Sequence, residues 1–233
     1  MRSLVIACFF ALFSVQVMAA SGEVHLDHVE IDITDKASLQ RGAQTFVNYC
    51  LSCHEAAFMR YNRMAKDLGL TDDQVKENLM FASDKIGDTM TVAMRPEDAE
   101  KWFGVTPPDL SVIARARGTD WLYTYLRTFY LDESRPMGTN NVAFKDVGMP
   151  HVLWEQQGYL AKNEDGELVQ ATEGKLSQHE YNVMVHDLVN FLAYISEPSK
   201  LERMDLAKWV LLYLIIFFLV AYPLKKAFWR DVH

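Results

Sequence analysis

The chain has 233 residues, half of them hydrophobic and 23% charged, with 11 Gly and 7 Pro. That composition excludes a collagen-like or intrinsically disordered chain. Its 23 basic and 31 acidic residues leave a net charge of −8, which argues against nucleic acid as a partner and in favour of a basic protein. Three cysteines are too few for a disulfide framework.

In chain order, residues 1–20 place one Arg beside the start, an apolar run from Leu4 to Val17 and small residues after it. This is the three-part layout of a secretory signal peptide, with cleavage expected after Ala19 or Ala20. Removal takes Cys8 away and leaves two cysteines. Residues 21–205 are expected to form the exported domain. Within it, Ser38 to Tyr49 carries apolar residues at helical spacing behind a candidate N-cap, and Thr71 to Phe81 opens with Thr and acidic residues as a short helix does. Pro107-Pro108-Asp109-Leu110-Ser111 is a stiff entry to a further helical stretch, and apolar and aromatic residues recur at three and four from Leu110 to Tyr130. Asp132 to Pro150, with its Pro, Gly and Asn, reads as a long loop. Asn163-Glu164-Asp165-Gly166 predicts a tight turn in or beside a small hairpin. Ser177 to Ile195 is an amphipathic helix with Ser177 and Glu180 in capping-box positions, closed by Pro198. Residues 206–225 contain Trp209–Leu224, sixteen residues without a charge, about 24 Å of helix against a hydrocarbon core of about 30 Å. Lys208 and Lys225 can snorkel at its edges, and Trp209, Tyr222 and Trp229 suit the interfacial belts. Lys225, Lys226 and Arg230 then predict a cytoplasmic tail, residues 226–233, by the positive-inside rule. The expected fold is mostly α, with long loop insertions and one C-terminal transmembrane helix.

Cys50-Leu51-Ser52-Cys53-His54 is C-x-x-C-H, the signature of covalent c-type haem attachment. Two thiols within one helical turn reach the two vinyl groups on a porphyrin edge, and the next residue sets an imidazole under the iron. A thiol-redox pair would sit beside a βαβ pattern, which is not seen. A zinc site would need a second Cys or His pair, and His179 and His186, seven apart, do not form a close one. Export fits haem attachment outside the cytoplasm. A sixth iron ligand has three candidates in the long loop region: Met137, Met149 and His151. A Met sulfur would give a raised potential, and His a lower one.

These motifs resemble the cytochrome c1 family. The similarity runs from Arg41-Gly42 through Cys50-Leu51-Ser52-Cys53-His54, Arg60-Tyr61, Pro107-Pro108-Asp109-Leu110-Ser111 and Arg115-Ala116-Arg117-Gly118. It continues through Tyr123 to Tyr130, Gly148-Met149-Pro150 and the C-terminal span. The resemblance implies a cytochrome c-like domain with one covalent haem c on Cys50 and Cys53. It makes His54 and Met149 the iron ligands, sets Arg117 against a haem propionate and packs Pro108 near the haem. It also implies a subunit of the bc1 complex in a bacterial inner membrane, with the haem domain in the periplasm and the C-terminus in the cytoplasm. Its expected partners are a cytochrome b subunit, the Rieske iron–sulfur protein and a soluble or membrane-bound cytochrome c. The alternative is another membrane-anchored monohaem cytochrome c, an oxidase subunit or tethered shuttle. Acidic pairs such as Asp72-Asp73 and Asp132-Glu133 together could steer a basic cytochrome, but any single cluster reads first as solvated surface, and no docking patch is assigned to one.

Overall fold

A computed structural model describes residues 24–231; the expected signal peptide lies outside them. The first helix, α1 (Lys36–Tyr49), starts earlier than the sequence predicts. Asp35 is its N-cap and accepts from the Ser38 amide at 3.0 Å. Ser38 sits inside the first turn instead, where its buried hydroxyl donates to Asp187 at 2.6 Å. Beyond the haem motif come β1 (Ala56–Arg60), α2 (Tyr61–Leu68), α3 (Asp72–Asn78), β2 (Thr89–Met90) and α4 (Pro96–Phe103). Thr71 and Gln74 close a full capping box on α3, satisfying two amides that the helix leaves unpaired.

The aromatic stretch after Leu110 is not one helix. It splits into α5 (Ile113–Arg117) and α6 (Thr119–Arg127) at Gly118, whose φ of 89° is readily reached only without a Cβ. The long loop folds back on it, because β3 (Phe129–Leu131) pairs antiparallel with β4 (Thr139–Asn141). Then follow α7 (Trp154–Gln157) and a hairpin of β5 (Leu160–Lys162) and β6 (Leu168–Gln170), turned at Gly166 as the Asn-Glu-Asp-Gly run predicts. Helix α8 (Gln178–Ser196) carries the predicted Ser177–Glu180 capping box.

The core is built on α8. Phe46 of α1 and Phe191 of α8 meet with ring centroids 5.6 Å apart, and Leu39, Ala43, Leu188 and Val185 close around them at 2% exposure or less. The Phe, Leu and Val side chains each contribute roughly 1.5–3 kcal/mol by leaving water, and Ala43 less. Gly42 makes the crossing possible, since a Cβ there would lie 2.1 Å from the Asp187 carbonyl oxygen. At the same crossing the buried Asp187 carboxylate accepts from Arg41 and Ser38. On another side α6 packs Leu122 and Leu126 inward, and Tyr181 donates to the Leu126 carbonyl at 2.7 Å.

After a break at Glu197–Ser199, helix α9 (Lys200–Phe228) runs 29 residues, about 43 Å at 1.5 Å per residue. It is long and apolar enough to cross a membrane, and none of its apolar span is buried by the other described residues. The helix starts before the predicted span, at a charged segment where Lys208 pairs with Asp205 at 2.8 Å. The fold is therefore mostly helical, with short two-stranded pieces and one long apolar C-terminal helix.

Candidate haem site

Helix α1 delivers the cysteines. Cys50 caps its C-terminal end, and the amides of Cys53 and His54 both donate to the Cys50 carbonyl, at 3.0 and 2.8 Å. The motif is thus one tight turn on a helix that α8 holds in place. Both thiols are free; Cys50 is buried and Cys53 half-buried. Burial pushes the Cys50 thiol up to about 12, so it stays protonated in the unmodified chain.

The Pro107–Ser111 segment is fastened to the residues that follow this turn. Asp109 accepts from the Ala57 amide at 3.1 Å and the Ser111 amide at 2.6 Å. The Ser111 hydroxyl accepts from the Phe58 amide at 3.0 Å, and the Leu110 amide donates to the Glu55 carbonyl at 2.7 Å. These bonds bring the Pro108 carbonyl within 2.8 Å of His54 Nδ1. A carbonyl can only accept, so Nδ1 carries the proton and Nε2 keeps its lone pair. Burial holds this imidazole below its ordinary range, with the Pro108 bond pulling weakly the other way. The neutral, oriented ring is the form that ligates a metal, and a hydrogen bond on the opposite nitrogen is how ligating histidines are commonly fixed.

The same segment reaches the Met149 loop. A Cβ on Gly148 would lie 3.0 Å from Val105 and 3.4 Å from the Phe103 carbonyl, so the loop packs on the residues leading into Pro107. One stretch of chain, residues 103–111, therefore braces both the His54 turn and the Met149 loop. Met149 is half-buried, and its sulfur accepts from the Tyr125 hydroxyl at 3.3 Å.

The other loop candidates are placed differently. Met137 lies in the turn between β3 and β4, beside Gly138. His151 is 5% exposed and stacks on Phe129 at 5.1 Å with the rings nearly parallel. Burial lowers its pKa to about 4, and its ring belongs to an aromatic cluster with Tyr159. Arg117 ends α5 on the surface, its guanidinium over the rings of Trp121 and Phe144 at 5.1 and 5.7 Å. Among the described residues no carboxylate pairs with it.

Three participants escaped the sequence reading. Tyr125 carried only the signal of an aromatic at helical spacing from Trp121 and Phe129. Asp109 and Ser111 were visible as part of a motif, but their work, holding a backbone carbonyl against His54, was not. Among the described residues no group of three or more His, Cys, Asp or Glu gathers as a metal-ion site.

The donor set fits haem c: two unbridged thiols one turn apart, a neutral imidazole with Nε2 available, a thioether on a loop held by the same segment and, among the described residues, an arginine without a carboxylate partner. Residues 28–232 match the model of the Cytochrome C1 family. The chain belongs to the cytochrome c1 family. It is 49% identical to the cytochrome c1 of Allochromatium vinosum over 246 aligned positions covering all of both chains. It is also 52% identical over 212 positions to a Nitrosomonas europaea protein named ammonia monooxygenase gamma subunit, covering 91% of this chain and 90% of that one. Among solved structures, a chain of a hyperthermophilic respiratory complex III aligns over the whole of both chains at 16% identity and a TM-score of 0.44. Cytochrome c1 membership makes this a haem protein of respiratory electron transport, anchored by its C-terminal helix.

Proposed function

We propose that the chain relays single electrons from a Rieske iron–sulfur protein to a soluble or membrane-bound cytochrome c, within a complex that includes a cytochrome b subunit. The observation that carries this reading is the C-x-x-C-H turn with His54 Nδ1 held by the Pro108 carbonyl at 2.8 Å, leaving Nε2 available. Haem c, joined through Cys50 and Cys53, supplies the one-electron iron couple.

The chain's own residues bind and orient. His54, through Nε2, and Met149, through its sulfur, would be the chain's two ligands to the iron, and keeping both would let charge move with little rearrangement. Arg117 stands ready for a propionate, as a charge-assisted partner of a partly buried carboxylate. Pro108 fixes His54 through its carbonyl, and its ring stiffens the segment that carries it. The acidic balance of the chain favours arrival of a basic cytochrome in a salt-dependent way. Residues 1–20 act as the export signal and residues 21–205 lie in the periplasm. Residues 206–225 cross the inner membrane, and 226–233 end in the cytoplasm beside Lys225 and Lys226.

Rapid mixing of the purified membrane complex with quinol tests the relay. Haem c absorbance should show reduction in the intact complex and lose its fast phase when the Rieske protein is absent. Equally fast reduction without that protein would refute the reading. Co-purification with cytochrome b and the Rieske protein separates it from a stand-alone membrane-anchored monohaem cytochrome.

A further inference from the structure

The sulfur of Met149 already has a partner. The Tyr125 hydroxyl donates to it at 3.3 Å, and makes no other hydrogen bond among the described residues. The donor is held firmly. Trp121, one turn earlier on α6, lies parallel to the Tyr125 ring with centroids 4.9 Å apart. Phe129 closes on it edge-to-face at 5.1 Å. The Tyr125 carbonyl accepts from Asn141 Nδ2 at 2.7 Å, and Asn141 is 1% exposed in β4. The phenol is thus fixed by α6, β3 and β4, whereas the sulfur it meets belongs to the loop that follows β4.

We propose that Tyr125 is a positioning residue for the sixth iron ligand, orienting the Met149 sulfur and biasing the bound iron toward its reduced state. This rests on the reading of Met149 as that ligand. A thioether sulfur has two lone pairs. The hydroxyl occupies one and leaves the other to face the iron, which selects one orientation at sulfur. The donated proton also draws electron density from the sulfur. Oxidised iron draws more density from its ligands than reduced iron does, so the sulfur accepts the hydrogen bond better in the reduced protein. A bond stronger in one oxidation state stabilises that state, as other hydrogen bonds beside iron ligands do. Sulfur is a weak acceptor, so this is a tuning contribution and not the source of the high potential.

The test is a redox titration of the full-length, haem-loaded protein, following the haem absorbance. Tyr125→Phe removes only the oxygen; Tyr125→Leu removes the ring stack as well. At the solution potential that leaves the unaltered protein half reduced, the reduced-to-oxidised ratio of Tyr125→Phe should fall about threefold, a fraction of one ordinary hydrogen bond. Its near-red sulfur–iron absorption should persist, and Tyr125→Leu should shift the same way. A ratio equal to or above that of the unaltered protein, with the sulfur–iron absorption intact, overturns the inference and leaves the ligand reading standing. Absence of that absorption in the unaltered protein overturns both. The unaltered reduced protein supplies a check free of folding effects. Its NMR spectrum should contain a slowly exchanging tyrosine hydroxyl proton close to the Met149 methyl group, and exchange of that proton at solvent speed refutes the proposal.

Discussion

Gly42→Ala tests the packing that places the haem-binding turn. The added methyl would stand 2.1 Å from the Asp187 carbonyl oxygen and 2.7 Å from Phe191 Cβ, where ordinary contact begins at 3.4 Å. Helices α1 and α8 must then part by roughly 1.3 Å, in an interior that packs as densely as an organic crystal. Overpacking of this kind costs about 1–3 kcal/mol, occasionally more. The higher helix propensity of Ala returns about 1 kcal/mol. The bonds from Ser38 and Arg41 to Asp187 lie at the same crossing and are strained with it. With about 1 kcal/mol for weakening those bonds, a net loss of about 2 kcal/mol follows, equivalent to a fall in Tm of about 4–8 °C for a chain of this size. Thermal melts of the detergent-solubilised, haem-loaded protein measure it, with Gly87→Ala as control, because nothing lies within 4 Å of a Cβ built there. A Gly42→Ala melt that coincides with the control would show that the helices do not depend on close approach at this residue.

Two further predictions concern the site and its surroundings. Asp109→Ala removes the acceptor of the Ala57 and Ser111 amides, so the bond from His54 to the Pro108 carbonyl should loosen. Stability should drop by about 1 kcal/mol, discounted for the exposure of Asp109, and the His54 ring proton should exchange faster by NMR; unchanged exchange would contradict the bracing role. At the N-terminal end of the described chain, Asp120 accepts from the Val29 amide and pairs with His28. The Val29 bond, then the His28 bond, hold the Asp120 carboxyl below its ordinary value, while the Asp120 bond raises His28. The Asp120 contribution is therefore present above the ordinary carboxylate pKa and lost as pH falls through the lowered one. The His28 contribution is present below the ordinary imidazole pKa and lost as pH rises through the raised one. The protection factor of the Val29 amide should accordingly be greatest between these limits, and a pH-independent protection factor would contradict the pairing.

The legibility of this chain followed the range of the interactions. C-x-x-C-H was readable because its chemistry is confined to five consecutive residues. The α8 boundary was readable because Ser177 and Glu180 cap each other locally. Gly166 turned its hairpin for the same reason. Ser38 misled: it resembles a cap, but the nearby Asp35 takes that place and the Ser38 hydroxyl serves Asp187, far along the chain. The run from Leu110 to Tyr130 kept helical periodicity across Gly118, so only the positive φ, invisible in spacing, divides it. Helix α4 and the pair β1–β2 passed unnoticed. The former is short, and the latter is two-stranded with a shifted register that spoils alternation. Within the site, the bond from His54 to the Pro108 carbonyl and the contact of Tyr125 with Met149 join distant segments and involve a main-chain atom or a weak sulfur acceptor. No residue pattern announces either one.

The most direct test of the account is the near-red absorption of the oxidised, haem-loaded protein before and after Met149→Leu, with covalent haem verified by staining on a denaturing gel. The unaltered protein should show the sulfur–iron feature. Met149→Leu should lose it and its high potential while its haem still runs with the polypeptide through Cys50 and Cys53. Survival of the feature in Met149→Leu would assign the sixth ligand elsewhere, and haem that leaves the unaltered chain on denaturation would contradict covalent attachment altogether.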